Sequence, residues 1–77
     1  MQADELRRIV GANVRRRRLA LDMTQQKLAE QLGVAQSYIS GLERGDRSPL
    51  LATLAEFAEV LQTQPAQLLT PLAVAAA

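Results

Sequence analysis

The chain contains no cysteine, no histidine and no tryptophan. Without cysteine there is no disulfide framework and no thiolate nucleophile. Without histidine as well, nearly every transition-metal site is excluded, together with serine–histidine and cysteine–histidine catalysis. Aromatic residues are reduced to Tyr38 and Phe57, and no apolar run approaches the roughly 20 residues needed to span a bilayer. In residues 1–20 the basic side chains sit inside the stretch rather than ahead of an apolar block, so it does not read as a signal peptide and a cytoplasmic location is expected. Basic residues are missing altogether after Arg47.

What is present is a short chain with a lopsided charge distribution. Its 77 residues make one small unit, which buries only about 60% of the surface its unfolded form exposes. Net charge is +1, but residues 1–50 hold all nine basic residues against six acids, whereas residues 51–77 hold Glu56 and Glu59 and no base. Such a split suggests one face for a polyanion and another for something else. Eight of the nine bases are arginine, whose flat fork matches phosphate and guanine edges better than a lysine ammonium does.

The apolar spacing predicts helices throughout. A first helix, about Asp4 to Leu21, carries Leu6, Val10, Val14 and Leu21, with Asp4 and Glu5 at its positive end. Thr24 has the oxygen to cap a second helix, Gln25–Leu32, which Gly33 ends in a left-handed conformation. A third runs from Ala35 to Arg44 with Ile39 and Leu42 on its buried stripe, and a turn-rich loop from Gly45 to Pro49 follows. Leu51, Leu54, Phe57, Ala58 and Leu61 define a fourth helix, and Pro65 starts a short fifth one carrying Leu68 and Leu69. The tail Pro71–Ala77 is uncharged, and its role stays open between a frayed end and packing on a partner chain.

Two short helices joined by the tight turn Gly33–Val34 have the layout of a helix-turn-helix, with the second helix free to enter a DNA major groove. Ala29, Gly33, Val34, Ile39 and Leu42 supply small or apolar contacts at the helix crossing. Removing the buried positions leaves Gln36, Ser37, Ser40 and Gly41 on the outer face of the second helix. Short polar side chains there let the backbone approach base edges, with amides and hydroxyls to read them.

The strings Thr24-Gln25-Gln26-Lys27-Leu28-Ala29, Leu32-Gly33-Val34, Tyr38-Ile39-Ser40 and Leu42-Glu43-Arg44-Gly45 resemble the Cro/C1-type (XRE) helix-turn-helix family over about Val10 to Leu69. Tyr38 to Arg44 also resembles the small controller proteins of restriction–modification systems. The resemblance implies that Gln36, Ser37 and Ser40 read bases and that Gln25 holds a phosphate. It implies that Tyr38, Arg44 and Arg47 contact the backbone or groove edge, and that Arg18 and Glu43 form a partly buried ion pair between the first helix and the recognition helix. Gly41 falls where some members carry a further reading side chain and cannot supply one. Asp22 stands where the family usually has glycine.

Plainer roles stay open beside these. Arg15 lies between a phosphate contact and solvent, Arg16 and Arg17 read as a solvated face, and Ser40 could be satisfied by its own helix. Tyr38 could pack at the helix edge, and Arg47 could be a solubilising charge. The sequence is therefore read as an all-α, five-helix, lambda-repressor-like DNA-binding domain spanning residues 1–77, with its motif at about 24–45. The expected partners are double-stranded DNA and a second copy of the chain. Two recognition helices set about 34 Å apart on one DNA face need a dimer. The arginine-free part at 50–77 is its expected surface, with Leu68, Leu69 and Leu72 as candidates. Nothing in the pattern points to an enzyme, a cofactor, a metal, a membrane or a small-molecule ligand. The alternative is a protein-interaction module on the same fold, of antitoxin or coactivator type.

Overall fold

The computed structural model describes residues 1–72; the end of the tail, 73–77, lies outside the described residues, and with it most of the stretch left open between a frayed end and packing on a partner. Among the described residues five helices follow in order: α1 (Ala3–Ala20), α2 (Gln25–Leu32), α3 (Gln36–Glu43), α4 (Leu51–Val60) and α5 (Pro65–Leu68). No strand occurs among the described residues. None of these helices is long and apolar enough to cross a membrane.

The helix ends explain why the chain breaks where it does. Helices α1 to α4 finish in the same way: one residue sits in the left-handed region, and its own amide and that of the next residue bond back to the last turn. At α1 the Asp22 amide donates to the Leu19 carbonyl and Met23 to Arg18; at α4 Gln62 donates to Glu59 and Thr63 to Ala58. Gly33 takes this conformation after α2 at φ 70° and Gly45 after α3 at φ 83°, where glycine pays no Cβ penalty. Asp22 (φ 56°) and Gln62 (φ 58°) adopt it with side chains present. At the other end of α2, Thr24 Oγ1 accepts from the Lys27 amide at 3.0 Å, the expected cap. Pro65 is the first residue of α5, where its missing donor leaves no bond unmade. Pro49 closes the loop before α4; Leu50 occupies the cap position, and the helix begins at Leu51.

The core joins all five helices: Val10 and Val14 from α1, Leu28 and Ala29 from α2, Ile39 and Leu42 from α3, Leu54, Phe57 and Ala58 from α4, Leu61 just beyond it, and Leu68 from α5. Two leucines expected on the buried stripes are outside it, Leu6 (37% exposed) and Leu51 (85%). Both sit in the first turns of their helices, past the rim of the packed layer. With Val10, Pro49, Leu54 and Leu69 they border an open apolar groove rather than fill a core. Leu68 corrects the expected dimer surface in the opposite sense. It is 1% exposed and belongs to the core of its own chain, so it has no face left for a partner, whereas Leu69 is exposed and Leu72 half-buried.

One buried polar residue organises the bundle. Asn13 Nδ2 donates to the Leu68 carbonyl at 2.9 Å and to the Thr70 carbonyl at 2.8 Å, satisfying the C-terminal end of α5, which is too short to hold itself. Arg17 does the same for α4, with Nε on the Leu61 carbonyl at 2.8 Å and Nη2 on the Gln62 carbonyl at 3.0 Å. Arg17 is therefore not the solvated arginine that its run suggested; a cation at a helix C-terminus is also favoured by the helix dipole.

Candidate nucleic-acid interface

The candidate interface is the bihelical unit α2–α3 and the loop that follows it. Its interior is Leu28, Ala29, Ile39 and Leu42, all buried, with Val34 half-buried in the turn. The buried Ala29 sits where the helices cross, and its carbonyl accepts from the Val34 amide at 3.0 Å, fixing the turn. A glycine sets the distance to α1: a Cβ on Gly11 would fall 2.3 Å from the Leu42 carbonyl oxygen and 2.8 Å from that of Glu43. Hence α1 and α3 are in backbone contact at this point.

Beneath the unit lies a polar chain. Arg18 Nε donates to Glu43 Oε2 at 2.7 Å and Nη2 to Oε1 at 3.0 Å, a bidentate pair with both side chains almost fully buried. Arg18 Nη1 also donates to the Met23 carbonyl at 2.7 Å, so one guanidinium locks α1, the α1–α2 turn and α3 together. The hydrogen bond to Glu43 is the main reason the Arg18 guanidinium is held more firmly protonated than an exposed one; burial opposes it. Glu43 Oε1 accepts additionally from Gln25 Nε2 at 3.1 Å. Gln25 Oε1 faces Gln36 Nε2 at 3.5 Å, at the limit of a hydrogen bond. The expected ion pair is thus present, and the Gln25 amide is tied to it at the start of α2.

On the outer surface Gln36 and Ser37 are exposed and Ser40 half-buried. Ser40 Oγ accepts from Arg44 Nη1 at 2.7 Å, so its partner is a side chain one turn on rather than its own backbone. Arg44 Nε donates to Asp46 Oδ2 at 3.0 Å, in an ion pair about two-thirds exposed at both ends. Gly41 is buried under the stem of Arg47, whose Cγ would lie 3.2 Å from a Cβ at that position. The absence of a side chain at 41 therefore lets Arg47 fold across α3. Its guanidinium reaches 6.0 Å from the centroid of the Tyr38 ring, within range of a cation–π contact. Burial pushes the Tyr38 phenol above its usual value, with Arg47 pulling the other way.

The arginine run points in all directions, as successive residues about 100° apart must. Arg15 is exposed with no hydrogen bond or ion pair among the described residues. Arg16 borders a depression with Asn13, Gln67, Thr70 and Leu72; Arg17 caps α4; Arg18 joins α3. The structure brings Ser37, Tyr38, Arg44 and Arg47 around one open depression, joins Ser40 to it through Arg44, sets Gln36 facing Gln25, and leaves Arg15 on α1. Two residues that hold this arrangement escaped the sequence reading, Gly11 and Asn13, and a third, Arg17, was read as solvated. Asn13 carried a signal, a polar residue at a stripe position between Val10 and Val14.

Comparison with known proteins agrees with this geometry. The helix-turn-helix family profile HTH_3 matches residues 14–68. The chain is 39% identical over 67 residues to an uncharacterised HTH-type transcriptional regulator, y4dJ, of Sinorhizobium fredii, covering 87% of each protein. Its fold superposes on the crystal structure of the hypothetical transcription factor NHTF from Neisseria with a TM-score of 0.87 at 28% identity, covering 99% of this chain and 87% of that one. It also superposes on the restriction–modification controller protein C.AhdI of Aeromonas hydrophila with a TM-score of 0.75 at 32% identity, covering 80% and 94%. The chain belongs to the helix-turn-helix (HTH_3, Cro/C1-type) family of DNA-binding transcription regulators.

Proposed function

We propose that this chain is a sequence-specific regulator that acts in the cytoplasm as a homodimer on a pseudo-palindromic operator, and that the genes it controls belong to a restriction–modification system. The observation that carries the DNA reading is the outer side of α3: Gln36 and Ser37 are exposed, Ser40 lies beside them, and Arg44 and Arg47 flank them. The one acid of α3, Glu43, is turned inward and neutralised by Arg18. In this reading arginines fix the register on phosphates, and Gln36, Ser37 and Ser40 read base edges. Gln25 and Tyr38 meet the backbone at the two edges, with Arg15 as an outlying phosphate contact. No chemistry is involved; the output depends on where the operator lies relative to the polymerase.

Dimerisation belongs to the half beyond residue 50, where the charge pattern avoids phosphate and Leu69 and Leu72 remain accessible. The likeness to C.AhdI supports the restriction–modification assignment. Selection of bound sites from random duplexes tests the whole reading. It should enrich an inverted repeat whose half-sites lie about one helical turn apart. Binding should weaken as salt rises, with a log–log slope near −5 for about 6 phosphate contacts. Recovery of a single unrepeated site would overturn the dimer. No enrichment over bulk sequence, with salt-insensitive capture of another protein, would overturn the DNA reading in favour of an interaction module.

A further inference from the structure

Asp46 is the one exposed acid inside the basic side of α3, and its placement is not accidental to the backbone. The Gly45 amide donates to the Leu42 carbonyl at 3.0 Å and the Asp46 amide to the Gly41 carbonyl at 2.9 Å, so the residue is pinned as the last member of the α3 terminating motif. Its side chain gives nothing to that motif. A carboxylate beside the negative end of a helix opposes the helix dipole, so Asp46 does not serve to stabilise α3. Its carboxylate partner among the described residues is Arg44 Nε at 3.0 Å. An arginine Nε–H presents to a phosphate oxygen in the same way as to a carboxylate oxygen. The same guanidinium holds Ser40 Oγ through Nη1 at 2.7 Å.

We infer that Asp46 is an internal stand-in for a DNA phosphate: in the free protein its carboxylate occupies Arg44, and a duplex must displace it before Arg44 reaches the backbone. The inference rests on the proposed DNA reading and adds a residue to it. Displacement couples two events. When Arg44 swings from Asp46 to a phosphate it also leaves Ser40, whose oxygen becomes available to a base edge. The cost of displacing Asp46 falls on every duplex alike, because it is met through the phosphate backbone. Asp46 therefore sets a threshold against binding to bulk DNA.

The test uses the full chain, a random-sequence duplex and a duplex recovered by site selection, with affinities measured across a salt series. Asp46→Asn keeps the shape and removes the charge. It should tighten binding to the random duplex by up to about fivefold, the range of an exposed ion pair. It should also steepen the log–log salt slope by about 0.9, one phosphate contact's worth. In an Arg44→Ala background the same substitution should have little effect. An equal gain in that background would reduce Asp46 to a general repulsive charge and overturn the inference. So would unchanged or weaker binding with an unchanged slope, or a large fall in the melting temperature of Asp46→Asn. Failure of the unsubstituted chain to bind the random duplex even in dilute buffer is a different result: it removes the DNA reading itself, and the inference with it.

Discussion

Gly11 and Leu42 are in backbone contact: the Gly11 Cα faces the Leu42 carbonyl so closely that a methyl group on it would stand 2.3 Å from the oxygen. This places α1 directly against the recognition helix. Because the obstructing atom is backbone, it cannot rotate away. Gly11→Ala gains up to about 1 kcal/mol of helix propensity, but overpacking a close backbone contact costs about 1–3 kcal/mol. We expect net destabilisation, and a shift of α3 that lowers DNA affinity more than stability alone explains. Urea unfolding with a parallel binding titration checks it; a variant more stable than the parent would contradict this packing.

The Arg18–Glu43 pair is structural, and its removal should be asymmetric. Arg18→Met or Glu43→Leu alone strands one buried charge and costs about 3–5 kcal/mol, enough to unfold much of so small a domain. The double variant removes both charges, and its cost should fall well below the sum of the single ones. Unfolding free energies for the cycle decide this. Strict additivity would mean that the two groups do not depend on each other.

Base reading and phosphate contact should separate by salt. Gln36→Ala should relax preference at one operator position, by about 1–3 kcal/mol, with affinity for random duplex almost unchanged. Arg47→Ala should weaken binding to every duplex and flatten the salt slope by about one unit. If Gln36→Ala lowers all affinities equally, its base-reading role is lost; if Arg47→Ala leaves the slope as it was, Arg47 stands in solvent.

Tyr38 is the single tyrosine and there is no tryptophan, so its ionisation can be followed directly in the ultraviolet. Burial raises the phenol above its usual value of 10, against the pull of Arg47. A raised value in the folded state means that folding favours the neutral phenol. That contribution is fully present below pH 10 and disappears as the pH climbs through the folded-state value. The titration midpoint should exceed 10 in the folded chain, and Tyr38→Phe should remove that part of the alkaline loss of stability. A midpoint below 10 would show Arg47 dominating over burial.

Much of this molecule is legible from local pattern. Apolar residues three and four apart placed the helices, and Thr24, Gly33 and Pro65 marked ends that the backbone bears out, because caps and left-handed turns are decided by neighbouring residues alone. The Arg18–Glu43 link was visible through family resemblance, though spacing by itself could not have paired residues 25 apart.

Other features depend on which surfaces meet, and no local pattern encodes that. Leu6, Leu51 and Leu68 occupy equivalent-looking stripe positions, yet only Leu68 is covered, because α5 packs against both α1 and α4 while Leu6 and Leu51 border an open groove. Arg15 to Arg18 are chemically identical neighbours, but Arg17 and Arg18 find carbonyls and a carboxylate within reach while Arg15 does not. Gly11 looked like any helical glycine until α3 was laid against it. The chain's own order of residues determined the helices of the described residues and the helix-turn-helix among them. The tertiary packing decided which leucines are core, which arginines are structural and how closely α1 supports α3, since burial and partnership arise only between segments far apart in sequence.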